Sequence, residues 1–404
     1  MIFLRRLMQF TGPLTAKGVE DTTFYVYNPL IAHNEVGDTP AILGTTVAEF
    51  HDAMEKRHKH SPCSMNSTAT HDTKRGEDAR MRLNVLTEIT EEWKENINQW
   101  REANKHHIKK LHHGTAPTIN DEYLIYQSLV AGFPHDFKLT DEYLERVNAY
   151  FIKALREAKV STNWNDPNEE YENACANFIN SILHKDSEFL KTFLPFVKKV
   201  SSYASLYSLN QTLIKITAPG IPDIYQGCEL WDLSYVDPDN RRPVNYEARQ
   251  KFLAEIITPT TSTTEILPAA SKHRLDYIAE HRQQGLEKLY VTFHALQTRK
   301  ENNEVFTSGD YIPLAVSNER SAIAFARKKK SDWLITIAPL QVVQRTTNST
   351  DFENIFINLP KNAPEEYINV LTGKRIVAKD GRIDLRVCLE GGLPGLLKSD
   401  AGRG

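Results

Sequence analysis

Two hydrophobic periods share this chain, and one layer of secondary structure cannot serve both. From Gly76 to about Ser208 apolar residues recur at three and four positions, as in RMRLNVLTEI, EEYENACANFINSIL and FLKTFLPFVKKV. That spacing gives each segment one apolar stripe and predicts helices. Asn120, Asp121 and Glu122 precede YLIYQSLV and form an acidic helix start, and Pro134 helps end that helix. From about Asn303 the runs YIPLAV, SAIAFAR, WLITIAP, NIFINLP and RIDLRV are short and separated by turn residues, which predicts an antiparallel β-sandwich. Between the two regimes lies QTLIKITAPGIPDIYQ (211–226), whose apolar run stops at Pro219-Gly220 and Pro222 and reads as a strand entering a loop. Residues 285–300 read as a helix again.

A chain of 404 residues exceeds one ordinary core, so two or three domains are expected. A formal net charge of −3 argues against nucleic acid or an anionic membrane as partner. No apolar run reaches the length of a membrane span, and MIFLRRLMQF is too short and too charged for a secretory signal. Cys63, Cys175, Cys228 and Cys388 lie far apart with no CxxC pair, which fits reduced thiols and a cytoplasmic location. HHIKKLHHG carries adjacent histidine pairs in a Lys-rich setting without matching carboxylate or cysteine spacing, and reads as a solvated loop rather than a metal site. The final residues of GGLPGLLKSDAGRG are expected to fray.

The first 75 residues mix short apolar segments with Gly and Pro. A helix is expected from Thr46 to about Lys59, and 64–70 is small and β-permissive, as a buried strand would be. That run ends in His71-Asp72, with Lys74, Arg75, Glu77, Asp78, Arg80 and Arg82 close behind.

Several long blocks carry a resemblance. They are QFTGPLTAKGVEDTTFYVYNPLIAHNEVG (9–37), STATHDTKRGEDARMRL (67–83), DEYLIYQSLVAGFP (121–134), STNWNDPNEEYENA (161–174) and ITAPGIPDIYQGCELWDLSYVDPDNRRPVNY (216–246). Together they resemble the maltooligosyl trehalose synthases, (1→4)-α-D-glucan 1-α-D-glucosylmutases of the α-amylase superfamily. The resemblance implies an isomerase that converts the reducing-end α-1,4 linkage of a maltooligosaccharide into an α,α-1,1 linkage, without metal or organic cofactor. The rivals are an amylase-like hydrolase, disfavoured by the AKGVED and DPDNRRPV blocks, and a non-catalytic glucan-binding remnant.

The implied fold is α/β plus all-β: the C-terminal part of a (β/α)₈ barrel, a large helical insertion and an antiparallel β-sandwich. The implied divisions are 1–75 to the seventh barrel strand, 76–208 as insertion, 209–302 with the last strand and rim loop, and 303–404 as sandwich. In such barrels active-site residues cluster at the C-terminal ends of strands. Asp72 is then the catalytic carboxylate that holds the donor sugar and opposes developing positive charge, and His71 a sugar ligand. Lys17 is a candidate for gripping hydroxyls, with Glu20 and Asp21 orienting it or closing a turn. Lys74 and Arg75 either contact sugar or form ion pairs with Glu77 and Asp78. In the rim loop, Glu229 and Asp239 are candidate sugar contacts or members of a self-satisfied polar network, while Asn163, Trp164, Asn165 and Tyr171 read as structural.

The family's nucleophilic Asp, in an R-x-D context, and its acid-base Glu belong upstream of the His-Asp strand. No R-x-D precedes Asp72; Arg274-Leu-Asp276 and Arg382-Ile-Asp384 follow it. The expectation is therefore the C-terminal portion of such an enzyme, inactive by itself, whose partner is a missing N-terminal half. A shortened chain, a split gene and an incomplete gene all fit.

Overall fold

Thr46 begins its helix as the sequence leads one to expect. In the computed structural model its hydroxyl accepts from the Glu49 N–H, and the Glu49 carboxylate accepts from the Thr46 N–H, closing a capping box at the head of Val47–His60. The structure describes all residues except 43, 113, 258–271, 348–351 and 401–404. The expected fraying of the last residues thus lies outside the described residues. The chain divides into two units, one of Met1–Leu43, His71–Ser202 and Asp232–Arg242, the other of Gly44–Thr70, Tyr203–Trp231 and Pro243–Gly404.

The first unit is mostly helical. It holds Ile2–Pro13, Glu77–Val85, Thr90–Asn104, Ile119–Gly132, Asp141–Ala158, Glu169–Ile182 and the first part of Glu188–Thr217. Thr118, Thr140 and Asn168 cap three of these, each accepting from a backbone N–H in the first turn. Trp100 is fully buried, with Phe189, Phe193 and Phe196 edge-on at 5.3–5.6 Å, an arrangement favoured by the ring quadrupoles. Residues expected to form a plain loop, HHIKKLHHG, instead contain a short 3₁₀ turn and a hairpin in which Lys109–Leu111 pairs with Gly114–Ala116. Among the described residues no group of three His, Cys, Asp or Glu side chains is placed to hold a metal ion, and no helix is long and apolar enough to cross a membrane.

In the second unit, β1 (Met65–Asn66) pairs in parallel with β2 (Ile221–Pro222). The strand expected over 64–70 is only these two residues, because the Ser67 hydroxyl turns back to the Ala69 carbonyl at 2.8 Å and starts a bend. The strand expected at 211–217 is a correction of a different kind. Those residues end the helix Glu188–Thr217, and Leu209, Leu213 and Ile216 fall on one buried stripe.

The sandwich follows. β3 (Asp310–Pro313), β4 (Ala322–Lys329), β5 (Asp332–Pro339), β6 (Phe356–Asn358), β7 (Glu366–Asn369), β8 (Arg375–Val377), β9 (Arg382–Asp384) and β10 (Gly395–Ser399) form two antiparallel sheets. The larger has the order β8-β7-β10-β5-β4-β3, the smaller pairs β9 with β6. Ile335, Ile337, Ile357, Ile383 and Leu397 share one core cluster, each worth about 1.5–3 kcal/mol of burial. The architecture is thus helical plus antiparallel sheet, and no closed barrel is present among the described residues.

Candidate functional site

The site grows from a wide helical turn and a clamped loop, both in the first unit. Residues Leu14–Thr23 form a π-helix, in which the Thr22 and Thr23 hydroxyls bond the carbonyls of Lys17 and Gly18 at 2.7 and 2.8 Å. One turn of it sets Lys17 and Asp21 together. The Asp21 carboxylate accepts from Lys17 Nζ at 2.5 Å with one oxygen and from Lys74 Nζ at 2.8 Å with the other. Burial would raise the Asp21 carboxyl, but these two bonds and the lysine charges hold it below its ordinary value. In return the bond to Asp21 raises the Lys17 ammonium, with Glu157 and Asp72 adding to its charge stabilisation.

Lys74 reaches Asp21 because the 71–76 loop is pinned from beneath. The buried Glu35 carboxylate accepts the Lys74 and Arg75 N–H groups at 2.7 and 3.2 Å. Arg75 is 1% exposed, and its guanidinium donates to the carbonyls of Ile31 and Asn34 at 3.1 and 3.3 Å and to the Tyr150 hydroxyl at 3.4 Å. Its planar fork suits such a multi-acceptor interior position. The next residue, Gly76, donates its N–H to Ser234 O at 2.9 Å, and a Cβ there would lie 2.6 Å from the Asp232 carboxyl carbon. Only glycine lets the two backbones approach that closely.

His71 and Asp72 sit at the exposed crest of this loop. The side chains are 61% and 63% exposed, and His71 Nε2 lies 3.1 Å from Asp72 Oδ2. Asn240 Nδ2 donates to the His71 carbonyl at 3.0 Å, and Arg241 stands 3.9 Å from the other Asp72 oxygen. Asp239, two residues before Arg241, is committed elsewhere. Oδ1 accepts from Arg146 Nε at 2.6 Å, and Oδ2 accepts from Arg146 Nη2 and the Tyr235 N–H, both at 2.8 Å; Arg242 Nε, whose hydrogen bond goes to the Asp239 carbonyl at 3.1 Å, adds an ion pair 2.9 Å from Oδ1. Burial would raise this carboxyl too, yet Arg146, Arg242 and Tyr235 hold it low.

A cavity of about 650 Å³ opens in this unit, lined by Lys17, Asp21, Asp72, Lys74, Lys153 and Trp164, with Glu20, Glu157 and Asp237 on its wall. Lys153 donates to the Asp237 carbonyl at 3.2 Å, and burial lowers its ammonium below the usual value although Asp237 opposes the shift. Ammonium groups supply donors and carboxylates acceptors, so the wall suits a neutral polyhydroxylated ligand better than a highly charged one.

Of the sequence candidates, Asp72, Lys17 and Lys74 are brought together on this lining. His71, Arg75 and Asp239 belong to the same unit but not to the lining. Glu229 lies in the second unit, where it accepts from Arg249 Nε at 3.0 Å. The sequence reading missed Lys153 and Trp164 as lining residues. It also left open the role of Asp21, which ties two lysines 57 positions apart in sequence. The KGVED block named Asp21 and the stretch after His71-Asp72 named Lys74, but nothing local to either pointed to the other as its partner.

No family model matches the chain. It is 33% identical over 335 residues to a putative maltooligosyl trehalose synthase of Mycobacterium tuberculosis, an alignment that covers 83% of this chain and 41% of that protein. A solved structure of a hypothetical maltooligosyl trehalose synthase from Sulfolobus tokodaii superposes with a TM-score of 0.73 at 30% identity, over 97% of this chain and 46% of that one. The maltooligosyltrehalose synthase structure from Arthrobacter ramosus gives a TM-score of 0.79 at 27% identity, with the same coverage of 97% and 46%. The chain therefore spans less than half the length of the relatives it matches.

Proposed function

We propose, from the chain being a partial homologue of the maltooligosyl trehalose synthases, that it is the C-terminal portion of such an enzyme and carries part of its active site. The reaction would release the reducing-end glucose of a maltooligosaccharide as a glycosyl-enzyme forms, let that glucose turn within the pocket, and join it again through an α,α-1,1 linkage. A retaining displacement of this kind needs a nucleophilic carboxylate and a carboxylic acid about 5–5.5 Å apart. We assign both to a region of the enzyme that this chain does not contain, so the chain alone is inactive.

The observation that carries the reading is the convergence of Asp72, Lys17 and Lys74 on one cavity. Asp72, exposed at the loop crest, accepts hydroxyl protons of the donor sugar and opposes positive charge as it develops. Lys17 and Lys74, aimed by their shared partner Asp21, donate to hydroxyls of the glucose being turned. Lys153 and Trp164 come from the helical segment 76–208, which supports its role as a wall that keeps water from the intermediate.

The test is turnover of maltopentaose by the purified chain, alone and together with a separately expressed N-terminal half of a related enzyme. Trehalose-type product formed only by the mixture, and lost with Asp72→Ala, is the expected result. Turnover by the chain alone would overturn the assignment of acid and nucleophile to a missing region, and free glucose as main product would point to hydrolysis.

A further inference from the structure

Trp164 is held as firmly as a core residue while remaining 50% exposed. Of the five tryptophans, Trp93, Trp100 and Trp333 are buried, and Trp231 is partly buried with its Nε1 bonded to the Arg282 carbonyl. The indole of Trp164 is fixed differently. Its Nε1 donates to Glu157 Oε1 at 3.0 Å, and the Arg156 guanidinium lies over the ring at 5.1 Å from the centroid. Arg156 is itself locked by a two-pronged bond to Glu172 at 2.8 and 2.7 Å, and Glu172 also accepts the Thr162 hydroxyl at 2.6 Å. On the loop, Asn163 Oδ1 takes the N–H groups of Asn165 and Asp166, both at 2.9 Å, so the backbone around the tryptophan is fixed as well.

Leaving half of a large apolar ring in water forgoes burial that the fold would otherwise gain, and ordering it costs side-chain entropy. Packing gives no reason to combine the two. Position does, since Trp164 lines the same cavity as Asp72, Lys17 and Lys153. A glucopyranose has an apolar C–H face and a rim of hydroxyls. An indole plane matches the face, and ammonium and carboxylate groups match the rim.

We propose that Trp164 is a stacking platform for a glucosyl unit of an α-1,4-glucan held in this cavity, a role that rests on the function proposed above. The platform fixes the plane of the sugar while Lys17 and Lys153 address its hydroxyls. Arg156 and Glu157 are positioning residues that hold the ring ready before the glucan arrives.

The experiment is calorimetric titration of the full chain with maltopentaose, with tryptophan emission recorded in parallel. Trp164→Ala is expected to weaken binding about tenfold, the scale of one aromatic stacking contact. Trp164→Phe retains a ring and is expected to bind within about threefold of the parent, while the ligand-induced change in emission disappears. Thermal melting of both variants checks that the fold persists. Binding of Trp164→Ala within about twofold of the parent, or Trp164→Phe as weak as Trp164→Ala, would overturn the platform and leave the site reading intact. Failure of the parent chain to bind maltopentaose at all would overturn both.

Discussion

Replacing Asp239 by Asn separates a structural strut from a ligand of the sugar. A carboxylate offers about four lone-pair directions, and Asp239 fills three with Arg146 twice and the Tyr235 N–H, while the Arg242 guanidinium stands 2.9 Å from Oδ1 as an ion pair. The side chain is also only 8% exposed, which leaves little room for a sugar hydroxyl. An Asn side chain turns one of those oxygens into a donor facing donors and removes the charge that compensates two arginines. Breaking a buried pair by removing one partner costs about 3–5 kcal/mol. The Arg146 and Arg242 side chains are 18% and 45% exposed, so water relieves part of the stranded charge. The lower figure, about 3 kcal/mol, is therefore expected, or roughly 6–12 °C of melting temperature for a unit of this size. The sign with pH follows from the lowered carboxyl. Its stabilisation is complete above the unfolded value of about 4 and fades as pH falls through the lower folded value, so the gap between parent and variant narrows on acidification. Melting curves at pH 7 and pH 3 test this, with maltopentaose affinity measured on the folded variant. Equal melting at pH 7, a gap that does not narrow in acid, or lost glucan binding with unchanged melting would refute the reasoning.

Gly132→Ala sets helix propensity against packing. Alanine gains up to about 1 kcal/mol in the helix, but its Cβ would meet Tyr235 Cε1 at 2.8 Å and fall closer still to Cζ and the hydroxyl. Overpacking of that kind costs about 1–3 kcal/mol, and Tyr235 also bonds Ser128 O at 3.1 Å, so urea unfolding is expected to show a net loss of about 1–2 kcal/mol; a stabilised variant would mean Tyr235 yields freely. Asp21→Asn removes the anion that raises Lys17, so the Lys17 ammonium should titrate at lower pH by NMR, and an unmoved titration would mean the bond is not kept in solution.

Local patterns carried the helices between 76 and 208, Leu286–Glu301 and most sandwich strands, but not Ile2–Pro13, Leu14–Thr23 or Tyr246–Ile257. Glu169–Ile182 follows from its apolar spacing and Ile119–Gly132 from its acidic start, and the runs SAIAFAR and WLITIAP became β4 and β5. The stretch QTLIKIT misled because a short apolar run looks alike in a strand and in a buried helix end, and only Leu209, upstream of the run, reveals its period. In the site, His71-Asp72 and Lys17 were visible as blocks. What stayed hidden was long-range pairing: Asp21 with Lys74, Glu35 beneath the Lys74 and Arg75 amides, and Arg146 on Asp239. Arg75 could be either ligand or strut on its identity alone, and its carbonyl partners Ile31 and Asn34 are unmarked in sequence. Trp164 was passed over because a tryptophan is usually packing, and its half-exposed, pinned state is a property of the fold.

The pairing of β1 with β2 also sets a clock. Met65 meets Ile221 across about 150 residues of intervening chain, and Asn66 completes the contact by donating to the carbonyls of Lys215 and Pro219. Closing a loop of that length costs about 4–5 kcal/mol of chain entropy if the loop is unstructured. On a ribosome adding about 5–20 residues per second, the earlier strand waits roughly 8–30 s for its partner. For that interval the Ser64 and Asn66 carbonyls lack the Ile221 and Asp223 N–H groups that bond them at 2.9 and 3.0 Å in the folded chain, and the nascent chain is open to mispairing and to chaperones. A translational pause placed just after residue 66 would lengthen that exposure, whereas one placed after residue 222 would not.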